Sequence, residues 1–370
     1  MNPGRRGYLD WLRGIAVLIM IEAHTIDSWT RADDRDREAF GYAMILGGFG
    51  APIFLFLAGV AVPLMASSRV RRGASAAAAA ATVRRRGWEI FGLAFLFRLQ
   101  SFILSGGAPA QTLLKVDILN IMGLAMVGAA TLWGLARRPS AKALALAAAA
   151  VALAMLTPIV RATPWLAWLP DPIEWYLRPY PGRTTFTTFP WAGFLFAGAA
   201  LGVVLERIPE RRLIAATAIL GPAIALAGYG ASYLPPIYAQ TNFWTSSPTF
   251  FFLRLGILLS LVPIAYIASR ALSRVSAPLE YFGRASLFVY WIHVEMVYGV
   301  LSAALHKRLT FEQAFAAFVL FSAFLFGVAK AKDSVVAWWK GRARTEAPAP
   351  AYLPSTKTPR DTSSLPPARG

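Results

Sequence analysis

Apolar runs of about 20 residues, broken by short polar stretches, recur along the whole chain. They fall at 8–29, 42–66, 87–106, 117–136, 141–160, 187–206, 211–233, 249–270, 280–305 and 311–330. At about 1.5 Å of rise per residue each can cross a hydrocarbon core of roughly 30 Å as an α-helix. The pattern predicts an all-α polytopic membrane bundle of about ten transmembrane helices. The fifth run is the weakest span because it is mostly alanine. The alanines 76–81, set between arginine clusters, extend the third helix beyond its apolar run.

The polar intervals alternate in charge. One set holds Arg5 and Arg6, then Arg69, Arg71, Arg72 and Arg84 to Arg86, then Arg137, Arg138 and Lys142. It continues with Arg207, Arg211 and Arg212, then Arg270 and Arg274, then a basic C-terminal tail. The other set is poorer, and 234–248 carries no charge at all. Cytoplasmic loops are enriched in Lys and Arg, so both termini are expected in the cytoplasm. Residues 1–335 are expected to form the membrane-embedded domain and 336–370 a disordered cytoplasmic tail, rich in Pro, Ser, Thr and Arg from 341. The first run lacks a small-residue cleavage site and reads as a retained span.

Composition agrees. Hydrophobic residues make up 56% of the 370 and charged ones 15%, against about 45–50% and about 25% in soluble domains. The net charge of +18 lies in the interhelical basic clusters, so it reads as topology and anionic headgroups and not as nucleic-acid binding. Cysteine is absent and histidine occurs three times. Disulfides, thiolate chemistry and a histidine-rich metal site are therefore not expected.

The informative residues are polar ones inside apolar runs, each charge costing about 2.5–3.5 kcal/mol of insertion. Such groups face a bundle interior or a wet cavity. The first run carries Asp10, Arg13, Glu22 and His24. Arg13 and His24 are close to three helical turns apart, on one face and separated by roughly 16 Å; Asp10 falls within about 40° of His24. Arg98 and Gln100 lie in the third run, Asp117 and Asn120 open the fourth, and Arg254 lies in the eighth. Arg284, Ser286, Tyr290 and His293 follow in the ninth, with Glu295 pointing away from His293. Under the expected topology His24, Arg98, Asp117, Asn120, Arg254 and His293 all fall at mid-depth or in the outer half. They predict a polar cavity open to the exterior, with a basic entrance near Arg13 and Arg284 on the cytoplasmic side.

No Ser-containing nucleophile elbow, zinc-protease helix or phosphate-cradling glycine loop is present. Histidine suits proton removal from a hydroxyl or amine attacking an acyl carbon. A carboxylate such as Glu22, Asp27 or Asp117 could orient the ring. Arginine suits phosphates or a developing oxyanion.

Four segments sharpen this. Leu9-Asp-Trp-Leu-Arg-Gly-Ile-Ala-Val followed by His24, Val116-Asp-Ile-Leu-Asn-Ile-Met-Gly, Phe189-Pro-Trp-Ala-Gly and Phe282-Gly-Arg-Ala-Ser-Leu-Phe-Val-Tyr-Trp-Ile-His occur in an order that resembles the transmembrane acyltransferase superfamily. The resemblance is to the acyltransferase type 3 proteins and to bacterial relatives of heparan-alpha-glucosaminide N-acetyltransferase, and covers about 8–330. It implies a multi-pass acyltransferase-like domain in a bacterial inner membrane, with acetyl-CoA or another acyl-CoA as co-substrate and no metal. Arg13 and His24 match the essential arginine and histidine of the type 3 pattern, and Asp10 the acid before that arginine. The lysosomal enzyme of the heparan group has asparagine at the position of His24 and its histidine in the following loop. Residues 25–45 here contain no histidine, so a hydroxyl acceptor is as plausible as an amine.

The expected site is then His24, Asp117 and His293 for proton transfer, Asp10, Arg13 and Arg284 at the donor entrance, and Arg98, Asn120 and Arg254 toward the acceptor or oxyanion. Expected partners are membrane lipids and a sugar or glycan acceptor, with no nucleic acid; a homodimer stays open. The leading reading is acyl transfer from cytoplasmic acyl-CoA to an extracytoplasmic glycan. The alternatives are a transporter of a polar or anionic solute, and a structural or sensory membrane protein.

Overall fold

The computed structural model describes residues 6–104 and 109–345. Among them the backbone forms α-helices, short 3-10 turns and two isolated bridges, and no strand. The helices are α1 (Gly7–Trp29), α2 (Glu38–Gly47), α3 (Gly50–Arg71), α4 (Ala76–Leu104), α5 (Ile118–Leu135), α6 (Pro139–Ala162) and α7 (Asp171–Leu177). They continue with α8 (Thr188–Leu205), α9 (Glu210–Ala231), α10 (Pro248–Ala271), α11 (Ser273–Arg284), α12 (Ser286–Tyr298) and α13 (Phe311–Thr345).

All ten apolar runs fall on helices, the second divided between α2 and α3 by a turn at Gly48 and Phe49, and the alanine tract does extend the third, since α4 is continuous from Ala76. Eight helical stretches are long and apolar enough to cross a membrane. Exposed Leu144, Ile219, Leu226 and Leu320 belong to the apolar outer surface that lipid would cover. The two remaining runs differ for physical reasons. Helix α1 carries Asp10, Arg13, Glu22 and Asp27, and it is tolerated because it is central. Leu12, Ala16, Val17 and Ile21 are fully or almost fully buried, with α2, α3, α10, α11 and α12 packed around it. The ninth run, expected as one helix over 280–305, is instead two: Ala285 leaves helical geometry (φ −86°, ψ 3°) and divides α11 from α12, which ends at Tyr298. The short α7 and its flanking 3-10 turn, in the loop between α6 and α8, had no periodic signal long enough to be read.

Close helix approach rests on glycine, as is usual where apolar burial cannot drive helices together in lipid. On α3 and α8 the contact is reciprocal: a Cβ at Gly59 would meet the Leu195 carbonyl oxygen at 1.9 Å, and one at Gly198 would meet that of Phe56 at 1.9 Å. Gly198→Leu is therefore expected to force α3 and α8 apart and to abolish recovery of monodisperse protein on size-exclusion chromatography, whereas Gly41→Ala, where a Cβ meets nothing within 4 Å, is expected to leave it unchanged.

The chain divides into two compact units, Met1–Phe326 and Gly327–Gly370, and the site lies in the first. Helix α13 runs to Thr345, so the first ten residues of the segment expected as a disordered tail (336–345) are helical; 346–370 lie outside the described residues.

Candidate active site

Helices α1, α2, α3, α4, α5 and α12 enclose a chamber of about 770 Å³. Helix α3 shows how sequence builds it: Gly50, Phe54, Ala58, Ala61 and Met65 all line the wall, at spacings of four, four, three and four that keep one helical face inward. From Gly50 to Met65 that stripe climbs roughly 22 Å at about 1.5 Å per residue, most of the hydrocarbon thickness. Arg13 and Arg86 line it together with Met65 and Ser286, and Lys115, Thr185, Glu295 and Tyr298 line it beyond His24. The chamber therefore has a basic end, apolar walls at mid-depth, and an end of mixed charge.

His24 lines the chamber. Its Nδ1 is 2.8 Å from Nε2 of His293, and the two rings are parallel within 6° at a centroid separation of 5.0 Å. His293 is fully buried, and its Nδ1 is 2.9 Å from the Val289 carbonyl oxygen one turn earlier on α12. The Tyr298 ring stands edge-on to His24 at 5.5 Å, and its hydroxyl donates to Asp27 at 3.2 Å. No carboxylate among the described residues hydrogen-bonds His24; the group that orients the ring is a second histidine.

A second cluster forms where α5 begins. Asp117 is the N-cap: one oxygen accepts from the Ile118 amide at 2.7 Å, and Asn120 accepts from the Asp117 amide at 2.9 Å, closing a capping box. The other Asp117 oxygen accepts from Arg98 at 2.6 Å and from the Tyr290 hydroxyl at 3.0 Å. Three helices (α4, α5 and α12) are thus tied at one carboxylate. Asn120 donates to the Tyr176 hydroxyl on α7 at 3.1 Å, and Trp291 donates to Gln100 at 2.5 Å. Lys115, in the loop before α5, has its ammonium held below the ordinary lysine range by burial and then by the Arg98 guanidinium.

Of the residues expected to form the site, His24, Arg13, Arg98 and Asp117 line the chamber, and His293 stands directly behind His24. Asp10 is buried and paired with Arg13 at 3.2 Å, so it holds the guanidinium from behind. The others stand outside the wall. Asn120 is consumed by the cap and Tyr176. Arg284 is half-exposed, 3.9 Å from Glu280. Arg254 lies in an aromatic cage, 4.1 Å from the Phe250 ring centroid and within 6 Å of Phe49 and Trp191. Arg86, Lys115 and Glu295, absent from the expected set, do line the chamber. For Arg86 a signal existed: 86, 90, 97 and 101 share one helical face, but the arginine run 84–86 was fully accounted for by topology.

A multi-pass membrane bundle whose ionisable groups converge on one long chamber, with a paired histidine at its wall, is the form of a membrane-embedded transferase. The comparison with known families agrees: residues 5–240 match the model of heparan-alpha-glucosaminide N-acetyltransferase, catalytic, and the chain belongs to that family, which is one of membrane acetyltransferases. The match is to the heparan group of the two that the sequence motifs resemble. It includes His24, Arg13, Arg98 and Asp117 and stops before α10, so His293 is placed by geometry alone. No curated protein matched the chain.

Proposed function

We propose that the protein moves an acyl group, acetyl in the simplest case, from cytoplasmic acyl-CoA to a hydroxyl or amine of an extracytoplasmic sugar or glycan, across a bacterial inner membrane. The observation that carries this is that Arg13 and His24, three turns apart on α1, line one chamber. The charge pattern of the loops puts the Arg13 end toward the cytoplasm.

The residues present suit such a donor. Arg13 and Arg86 supply two guanidinium groups for phosphates at the basic end, and Met20, Phe54, Ala58 and Met126 offer apolar walls for the arm between phosphate and thioester. Bound acyl-CoA supplies the activated acyl carbon. His24 takes the proton from the acceptor oxygen or nitrogen as that atom bonds to the acyl carbon. The carbon–sulfur bond breaks, the thiolate leaves, and the proton on His24 passes to it. Such general-base help is worth about 10²–10⁴ in rate. Arg98, Lys115 and Glu295 at the far end offer donors and acceptors for a polyhydroxylated acceptor. Membership of a transferase family favours this reading over solute transport.

Thermal unfolding of the detergent-purified protein tests the donor site. Acetyl-CoA at about 100 times its Kd is expected to stabilise by about 2.7 kcal/mol, raising Tm, and Arg13→Ala is expected to need at least tenfold more acetyl-CoA for the same rise. No rise at millimolar acetyl-CoA, or an identical titration in Arg13→Ala, would count against the assignment.

A further inference from the structure

We propose that His293 is a positioning residue: it locks His24 in the one neutral tautomer that can act as a base, filling without charge the place a carboxylate holds in a Ser-His-Asp triad. The proposal rests on the reading of His24 as the base.

The argument is one of proton accounting. The Val289 carbonyl oxygen can only accept, so the 2.9 Å contact puts a proton on Nδ1 of His293. A neutral imidazole carries one N–H, so Nε2 of His293 is an acceptor. That nitrogen lies 2.8 Å from Nδ1 of His24, which must then be the donor. The single N–H of neutral His24 is spent there, and its Nε2 keeps a bare lone pair. Had His293 been the other tautomer, its bare Nδ1 would face the Val289 carbonyl oxygen, acceptor against acceptor; had it been charged, a cation would sit in a fully buried position at heavy desolvation cost. Because Val289 lies one turn before His293 on α12, the helix itself sets the proton position. The Tyr290 ring, edge-on to His293 at 5.9 Å, limits rotation.

The choice of an uncharged partner has a consequence. A carboxylate would stabilise the imidazolium formed after proton uptake; a neutral imidazole does so only as a hydrogen-bond acceptor. His24⁺ therefore gives up its proton readily, which suits delivery to the departing thiolate. The groups facing His24 are His293 and Tyr298 from α12, Asp27 on α1 and Asp117 at the head of α5. None of the carboxylates is hydrogen-bonded to it.

Three variants in the full-length protein test this, with kcat, KM for acetyl-CoA and the pH profile of kcat/KM measured against glucosamine. His293→Gln places an amide oxygen where Nε2 stood and is expected to keep kcat within about tenfold. His293→Leu, of similar bulk but with no acceptor, is expected to lose about 10²-fold or more in kcat with KM unchanged. His293→Glu is expected to move the acid limb to higher pH by at least one unit, because a carboxylate stabilises the imidazolium. Equal losses in the Gln and Leu variants, or a Leu variant with wild-type kcat and pH profile, would overturn the proposal. If Leu fails to fold, the Gln retention and the Glu shift decide it, and absence of either overturns it. A His24→Ala variant that remains active would instead overturn the reading of His24 as base, so the two failures are told apart.

Discussion

His24→Ala is expected to reduce acetyl transfer from radiolabelled acetyl-CoA by about 10²–10⁴-fold, the range for loss of a general base, while the protein still elutes as a folded species. The reason lies in where the side chain is. His24 lines the chamber and makes one hydrogen bond among the described residues, to His293, so removing it deletes chemistry while leaving the helix contacts of α1 in place. The packing of that helix is carried by Leu12, Ala16, Val17 and Ile21. The fold cost is the unpaired Nε2 of His293, about 1–3 kcal/mol for a buried acceptor left without its donor. Binding of acetyl-CoA, read by thermal shift, should persist, because Arg13 and Arg86 are untouched. Wild-type turnover in this variant would remove the histidine from the mechanism.

Arg98→Leu is expected to destabilise the fold strongly by breaking a buried ion pair. The guanidinium and the Asp117 carboxylate meet at 2.6 Å, with only 14% and 12% of their side chains exposed. Deleting one member of a buried pair typically costs about 3–5 kcal/mol, because the surviving charge stays desolvated. Here the surviving carboxylate would keep only the Tyr290 hydroxyl and the α5 cap. Since Tyr290 and His293 share α12, the loss should also reach the histidine pair. The double variant Arg98→Leu/Asp117→Asn should recover part of the stability, as asparagine still caps α5 and carries no charge. Thermal unfolding of both variants checks this; a double variant no more stable than Arg98→Leu would mean that the pair is not the source of the cost.

Much of this organisation was legible in the residue pattern. The ten apolar runs all fall on helices, eight of them on stretches long and apolar enough to span, because spanning length and hydropathy are properties of each segment alone. His24 and Arg13 could be placed on one face because a single helix relates them. What could not be read depends on contacts between helices. That His293 and not a carboxylate orients His24 follows from how α12 leans on α1, and the break at Ala285 that permits this leaves no mark in hydropathy. Asp117 was read as a partner for histidine, yet the local demands of an N-cap and of Arg98 take up its oxygens. Arg254, a cation within an apolar run, was expected toward the acceptor or oxyanion; its guanidinium lies among the rings of Phe250, Phe49 and Trp191 and is not part of the chamber lining. Arg86 was hidden because a basic cluster beside a span has a sufficient explanation in topology.

The central claim is that one chamber serves a donor on one face of the membrane and an acceptor on the other. Proteoliposomes with the protein in a single orientation, loaded with glucosamine and supplied with radiolabelled acetyl-CoA outside, test it directly. With the basic Arg13 end outward, the account predicts acetylated glucosamine trapped in the lumen, its formation lost in His24→Ala. Product formed only when glucosamine and acetyl-CoA share the same side of the bilayer would contradict it.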